Sequence, residues 1–204
     1  MLYYFKKGFF PFLYLIFMFV IALGIMAING LEFLKYILAV LNLALYFFVV
    51  GAVAFKDGQD ALKIRMRNDL ERREIIRTGE LRPLKLHEEY KPYKGVLIAL
   101  TTCAPMLVLL AVQAILNVSG VDNTACGQIA TYIYFVTFVF FRIAGLEINC
   151  WGVFLSLSYL ALIVPVYSIL YNLGARKIEF QQEKIRAGKE SAYGVKNESG
   201  RRKV

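Results

Sequence analysis

Charged residues beside an apolar run are the first candidates for chemistry in this chain. Arg142 and Glu147 carry opposite charges and stand five positions apart, at the end of a run rich in aromatic residues. An ionisable side chain at membrane depth is costly, so it marks a substrate or ion contact or belongs to a structural pair. Both interpretations stay open for Arg142 and Glu147: a polar contact for a solute, or a pair that anchors its segment at the head-group level.

Cysteines offer a second kind of chemistry. Cys126 and Cys150 lie at the two ends of the aromatic segment 128–146. A disulfide between them requires both to lie on the same face of a membrane. Two free thiols are the alternative, because the redox compartment does not follow from the sequence. Cys103 lies within an apolar run and is interpreted as a small packing residue.

A short acidic motif follows the second apolar run. The sequence Asp-Gly-Gln-Asp-Ala at 57–61 resembles the opening of the CDP-alcohol phosphotransferase signature. That family continues with an Arg, a Gly and two further Asp residues that hold metal, whereas this chain has Leu62, Glu71, Ile75 and Gly79 at those places. Metal binding needs convergent carboxylates, so we reject the match and interpret the two Asp residues as the start of a helix.

Other familiar catalytic and metal-binding patterns are absent from the sequence. The single His87 has no Cys or His at ligand spacing, which argues against a zinc site. Neither a Gly-x-Ser-x-Gly elbow nor a Walker loop occurs. We therefore predict that the chain is not an enzyme and has no catalytic residue, no cofactor and no metal site.

Long apolar runs must position these residues. With 58% apolar residues and a mean hydropathy of +0.54, the chain is too hydrophobic for an ordinary soluble domain. Runs at about 8–28, 34–55, 95–117 and 151–173 are each long enough to cross the roughly 30 Å core of a bilayer. The first run is longer than the apolar part of a cleavable signal peptide, which predicts an uncleaved span.

Basic residues are concentrated at the ends of these runs. Of the 24 Lys and Arg residues, 22 fall at 6–7, in 56–94 or in 176–203. Cytoplasmic loops of membrane proteins carry the excess of Lys and Arg. This placement predicts a cell-membrane protein with both termini and the 56–94 segment in the cytoplasm, and the number of crossings must then be even.

The aromatic segment 128–146 brings two rules into conflict. Its length permits a fifth crossing, but five crossings would place the basic tail outside, against the charge rule. We therefore predict an all-α integral membrane protein with four transmembrane helices and one short aromatic re-entrant or interfacial segment on the outer side. Five transmembrane helices are the alternative.

The predicted spans divide the chain into two membrane regions and two basic regions. Residues 1–55 form an N-terminal transmembrane hairpin, and residues 95–173 form a C-terminal membrane region. Residues 56–94 form a basic cytoplasmic loop with 11 basic and 8 acidic residues. Residues 174–204 form a basic cytoplasmic tail, which is predicted to be disordered from about residue 188.

Within the basic loop, a surface helix is predicted over about 59–78. Leu62, Met66 and Leu70 recur at a four-residue spacing and give it a narrow apolar stripe. Such a stripe suits contact with the membrane surface or with a neighbouring helix.

Charge also indicates the class of partner. The net charge of +9 lies beside membrane spans, so anionic lipid head groups are the nearest partner, and we predict no nucleic-acid binding. Much of the loop is charge-balanced, which suits protein docking or homo-oligomerisation equally well. The leading hypothesis is a non-catalytic membrane scaffold or accessory subunit that binds anionic lipid or a partner through its loop and tail. The alternative is a small transporter or channel subunit with a polar site near the outer segment.

Overall fold

The computed structural model describes residues 2–26, 32–80, 83–121, 125–134 and 152–201. Within these ranges the chain forms helices joined by turns, and no strand occurs. The α-helices are α1 (Leu2–Met26), α2 (Glu32–Thr78), α3 (Lys94–Val118), α4 (Ala125–Ile133) and α5 (Leu157–Arg201), and the 3₁₀ segments are Leu86–Glu88 and Gly152–Ser156. The all-α prediction is confirmed for the described residues.

Four of the described helices, α1, α2, α3 and α5, are long and apolar enough to cross a membrane. Their outward faces carry large apolar side chains, among them Phe17, Phe48, Val108 and Ile169, each more than half exposed. Apolar surface of this extent suits contact with lipid rather than with water. The fold is therefore compatible with a membrane protein, as the apolar runs predict.

Contacts at one end of the bundle define the directions of the four long helices. Lys7 near the start of α1 meets Asp57 in α2, and Tyr167 in α5 meets the same carboxylate. Lys94 at the start of α3 lies over the ring of Tyr3 in α1. We call this the basic end. α1 and α3 run away from it and α2 and α5 run towards it, so α2 and α5 are parallel.

α2 runs without interruption through the predicted boundary between span and loop. The sequence predicts a separate surface helix over about 59–78 that starts at Asp57 and Asp60, but one helix of 47 residues contains both the span and this segment. Asp57 and Asp60 are interior positions, so neither begins a helix. The one weak helix former at the boundary, Gly58, costs about 1 kcal/mol relative to Ala, and tight packing against α5 offsets that cost.

α5 also continues far beyond the predicted last span. The helix extends to Arg201, where the sequence predicts disorder from about residue 188. Its extension packs against α2, and Gln182 Nε2 lies 2.7 Å from Met66 Sδ. We call the two parallel extensions, residues 59–78 of α2 and 175–190 of α5, the stalk.

Two glycines bring α2 and α5 into backbone contact at the basic end. A Cβ atom on Gly58 would overlap the carbonyl oxygen of Tyr171, and a Cβ atom on Gly174 would overlap the carbonyl oxygen of Phe55. Since glycine alone lacks a Cβ atom, only glycine permits this approach. Each helix thus has one glycine packed against the backbone of the other helix, and the two glycines determine where α2 and α5 cross.

The connection between α2 and α3 folds back onto the stalk. The backbone N–H of Tyr90 donates to the carbonyl oxygen of Ala61 at 3.0 Å. Glu89 Oε1 accepts hydrogen bonds from Asn68 at 2.9 Å and from Arg72 at 2.7 Å. The connection is therefore attached to α2 through both backbone and side-chain hydrogen bonds.

α4 lies within the half of the bundle that is remote from the basic end. The backbone N–H of Gly127 donates to Gln113 Oε1 at 3.1 Å, and the Tyr134 hydroxyl donates to the carbonyl oxygen of Thr102 at 3.0 Å. α4 therefore runs antiparallel to α3, from the far end towards the middle of the bundle. The rest of the contested 128–146 segment lies outside the described residues, so its number of crossings stays a prediction.

Candidate functional site

A buried carboxylate lies where α1 meets α2 at the basic end. Asp57 is only 7% exposed. Lys7 Nζ donates to Asp57 Oδ1 at 2.5 Å, while 36% of the Lys7 side chain stays exposed. The pair therefore joins a buried anion to a cation at the protein surface.

Tyr167 from α5 engages the second oxygen of this carboxylate. Its hydroxyl donates to Asp57 Oδ2 at 2.8 Å, and its side chain is fully buried. Hydrogen bonds to an ionised acceptor are stronger than neutral ones. We call Lys7, Asp57 and Tyr167 the Asp57 cluster. With both oxygens engaged, the carboxylate ties three helices together.

A second buried cation lies nearby. Lys94 is 2% exposed, its Nζ donates to the carbonyl oxygen of His87 at 2.5 Å, and it lies 5.2 Å from the centroid of the Tyr3 ring. A carbonyl oxygen and the face of an aromatic ring both stabilise an ammonium group. Lys94 therefore joins the start of α3 to the start of α1, as the Asp57 cluster joins α1 to α2 and α5.

Tyr90 attaches the connection between α2 and α3 to α5. Its hydroxyl donates to Asn172 Oδ1 at 2.7 Å. Burial raises the pKa of Tyr90, the negative charge of Glu179 raises it further, and Arg176 and Arg65 act in the opposite direction. The phenol therefore stays protonated and able to donate. We call the contacts of Glu89 and Tyr90 with α2 and α5 the stalk root.

Beyond the stalk root, the stalk exposes large apolar side chains among basic ones. Of the predicted stripe, Leu62 is buried but Leu70 is 60% exposed, and Ile76 and Ile185 are 85% and 59% exposed. Large apolar side chains that are exposed outside a membrane span can mark an interaction surface. The exposed basic residues of the stalk are Lys63, Arg65, Arg67, Arg73, Arg77, Arg176, Lys177, Lys184, Arg186 and Lys189.

Three buried tyrosines occupy the middle of the bundle. The hydroxyls of Tyr46 and Tyr159 are hydrogen-bonded to each other, and Tyr134 donates to the carbonyl oxygen of Thr102. Each phenol side chain is fully buried. Among the described residues, no group of three or more His, Cys, Asp or Glu side chains is placed to hold a metal ion. These tyrosines satisfy their hydroxyls within the core and pack the centre of the bundle.

No protein-family model, curated protein or solved structure matches this chain.

Most of the site residues predicted from the sequence lie outside the described residues. These are Arg142, Glu147 and Cys150, so the intramembrane polar pair stays a prediction. Cys126 is half-buried at the start of α4, and its disulfide with Cys150 likewise stays a prediction.

Sequence reasoning missed the contact between Lys7 and Asp57. Lys7 directly precedes the first predicted span and Asp57 follows the second, so the sequence puts both at the same end of the predicted hairpin. That placement and their opposite charges could have indicated the pair. Nothing comparable predicts Tyr167, because its contact with Asp57 depends on how closely α5 packs against α2.

Proposed function

We propose that this chain is a non-catalytic membrane scaffold or accessory subunit, whose four-helix bundle anchors a rigid stalk that binds a partner protein. The observation that carries the proposal is that α2 and α5 leave the bundle as two uninterrupted parallel helices. Their glycine contact and the stalk root give this extension a defined direction. A stalk of this kind presents a surface at a fixed distance from the membrane.

We further propose a cell-membrane location with four crossings, both termini and the stalk in the cytoplasm, and the 128–146 segment re-entrant from the outside. The supporting observation is that Lys7, Lys94 and the stalk share one end of the bundle, as the excess of Lys and Arg in cytoplasmic segments requires. α3 leads away from this end and α5 returns to it, which suits an even number of crossings.

Labelling with a membrane-impermeant thiol reagent tests this topology. In intact cells under reducing conditions, the four-span arrangement exposes Cys126 and Cys150 on the same outer face, so both should react. Single-cysteine variants report each position separately. Reaction of Cys126 alone would instead establish five crossings.

The length of the stalk favours a protein partner over lipid at its distal part. From Asp57 to Thr78, α2 advances about 30 Å at 1.5 Å per residue. The head-group region extends only about 5–8 Å beyond the hydrocarbon core. Ile76 and the adjacent Arg73 and Arg77 therefore suit a partner that combines an apolar patch with acidic residues.

Site-specific photo-crosslinking in native membranes tests partner binding. With p-benzoylphenylalanine in place of Ile76, we expect one dominant adduct, because Ile76 is the most exposed large apolar side chain described on the stalk. The same amino acid in place of Phe48 is the matched control, since Phe48 is 74% exposed on a span and should form lipid adducts only.

Charge reversal completes that experiment. Arg73→Glu with Arg77→Glu should abolish the Ile76 adduct and leave the protein level unchanged. An adduct that forms equally at both crosslinking positions, or that survives the double reversal, contradicts partner binding through the stalk.

A transporter or channel subunit is the second candidate. The observation that favours it is the packing of the short helix α4 against α3, with the Tyr134 hydroxyl bonded to the backbone of α3, since broken and re-entrant helices line many transport sites. Neutralising Arg142 or Glu147 should then reduce solute flux in reconstituted vesicles. Under the scaffold proposal, these variants keep the Ile76 adduct.

A further inference from the structure

The Asp57 cluster holds an ammonium group at the outer surface of the bundle, and its sequence neighbours add two more. Lys6 directly precedes Lys7 in α1, and Lys56 directly precedes Asp57 in α2. Because Lys7 and Asp57 are in contact at 2.5 Å, Lys6 and Lys56 lie at the same level of the α1–α2 interface. Lys6 and Lys56 are exposed, and Lys7 is partly exposed. Three lysines therefore border one short stretch of this interface.

Helix geometry puts Lys6 and Lys56 on the outward sides of the interface. An α-helix turns by about 100° per residue, so each lysine is rotated by that angle from the neighbour that makes the contact between α1 and α2. Phe10 and Ala52, each four residues further into the bundle on the same helix faces, are exposed and apolar. The three ammonium groups thus stand where an apolar outward face ends, which is the level of lipid head groups.

Negative charge near these lysines is already engaged. Asp57 is buried, and its two oxygens accept from Lys7 and Tyr167. Asp60, one turn further along α2, lies 3.7 Å from Lys63. The two aspartates and the four lysines around this stretch have a net charge of +2, which favours an anionic ligand; the lysines are Lys6, Lys7, Lys56 and Lys63.

We propose that the outward face of the α1–α2 interface at the basic end binds the phosphate of an anionic phospholipid. Lys6 and Lys56 are its direct ligands, and Lys7, held in place by Asp57, is the third. The acyl chains lie along the apolar outward faces of the same two helices. This site is separate from the stalk, and it requires only that the helices span a bilayer, so it stands whether or not the stalk binds a partner.

Native mass spectrometry of the full-length protein, titrated with phosphatidylglycerol or phosphatidylcholine, tests the site. An ammonium near the surface is worth a factor of about five in binding an anionic lipid, so Lys6→Gln with Lys56→Gln should weaken phosphatidylglycerol binding roughly 30-fold. Both substitutions leave the contact between Lys7 and Asp57 intact. Phosphatidylcholine binding should change less than twofold.

Two control variants separate the site from overall charge. Lys184→Gln with Lys189→Gln removes the same charge from the distal stalk and should leave phosphatidylglycerol binding unchanged. Lys6→Arg with Lys56→Arg keeps the charge and should preserve binding. If both glutamine variants lose binding equally, or neither does, the α1–α2 site is wrong.

Competition with a soluble phosphate identifies the source of the ligand. Millimolar glycerol 1-phosphate should not displace phosphatidylglycerol from the wild-type protein, because the acyl chains contribute apolar contacts that the soluble ester lacks. Displacement by glycerol 1-phosphate would make a soluble phosphate ester the ligand and overturn the assignment to lipid.

Discussion

The two partners of the ion pair in the Asp57 cluster differ in exposure, so their substitution should destabilise the protein by different amounts. Asp57 has 8% of its side chain exposed, whereas Lys7 has 36%. When Lys7 is replaced by Met, a buried carboxylate loses its cation. When Asp57 is replaced by Asn, the ammonium that remains can turn towards water or a head group. Lys7→Met should therefore destabilise the protein more than Asp57→Asn does.

The magnitudes follow from the partners that each variant leaves behind. A buried charge stripped of its partner costs about 3–5 kcal/mol. The retained hydrogen bond from Tyr167 and the exposure of Lys7 reduce this to about 2–3 kcal/mol for Lys7→Met. Asp57→Asn keeps an acceptor for Tyr167, so its cost is about 1 kcal/mol. The double variant should also cost about 1 kcal/mol, which corresponds to a coupling of about 2–3 kcal/mol.

Unfolding in detergent micelles measures these differences through the buried thiol of Cys103. This side chain is fully buried in α3, so a thiol-reactive dye labels it only after the bundle opens. Substitution of Cys126 and Cys150 by Ser in every variant leaves Cys103 as the single reporter. Denaturant titrations of the wild type, the two single variants and the double variant complete the thermodynamic cycle.

Two results would refute the reasoning. Asp57→Asn could cost as much as or more than Lys7→Met, which would mean that the carboxylate gains little from Lys7. Additive effects in the double variant would mean that the two side chains do not interact in the folded protein. Either result would remove the Asp57 cluster as the tie between α1 and α2.

Three further predictions concern the stalk and its root. Gly58→Ala should cost at least about 2 kcal/mol in the same assay, because its Cβ atom would overlap the backbone of α5, whereas Gly24→Ala meets open space and should be neutral or slightly stabilising. Glu89→Ala removes the acceptor shared by α2 side chains and should speed tryptic cleavage of the connection between α2 and α3, while Glu88→Ala, the adjacent control, should not. Because burial raises the pKa of Tyr90 above its ordinary value of 10.0, the stalk root should keep its full stability below pH 10 and lose it as the pH rises further. This loss should appear as a higher mobility of a spin label placed beside the root, and Tyr90→Phe should reduce that pH-dependent change.

The membrane-length helices were predictable because their determinants are local. An apolar run of about 20 residues is a property of consecutive residues, and each of the four predicted spans overlaps a described helix of sufficient length and apolarity. The last overlap is partial, because α5 begins at Leu157, after a 3₁₀ segment that occupies the start of the predicted span. Asn42 lies within the second of these runs, and its side chain donates to the carbonyl oxygen of Met18 at 3.0 Å across α1 and α2. A polar side chain in a span needs such a partner wherever the helices pack.

The extent of α2 and α5 was not predictable from the same local patterns. The change from apolar to charged composition near residue 56 suggests that a helix ends there. However, the composition of a helix can change where it leaves the membrane while its backbone hydrogen bonds continue unbroken. The sequence predicts helix on both sides of Gly58, and the packing of Gly58 against a facing carbonyl group of α5 favours continuation through it. Helix propensity is readily overridden by such tertiary contacts.

For the part of the chain that the structure describes, the sequence by itself determined that the fold is all-helical, that four helices are of membrane length, and that basic residues lie beside them. These properties depend on hydrophobicity and charge summed along short stretches of chain. Only the tertiary structure decided that Lys7, Asp57 and Tyr167 form one cluster, that two helices extend into a parallel stalk, and that the connection between α2 and α3 is attached to it. The physical reason is that partners 50 or 110 positions apart meet through close helix packing, which no local pattern specifies.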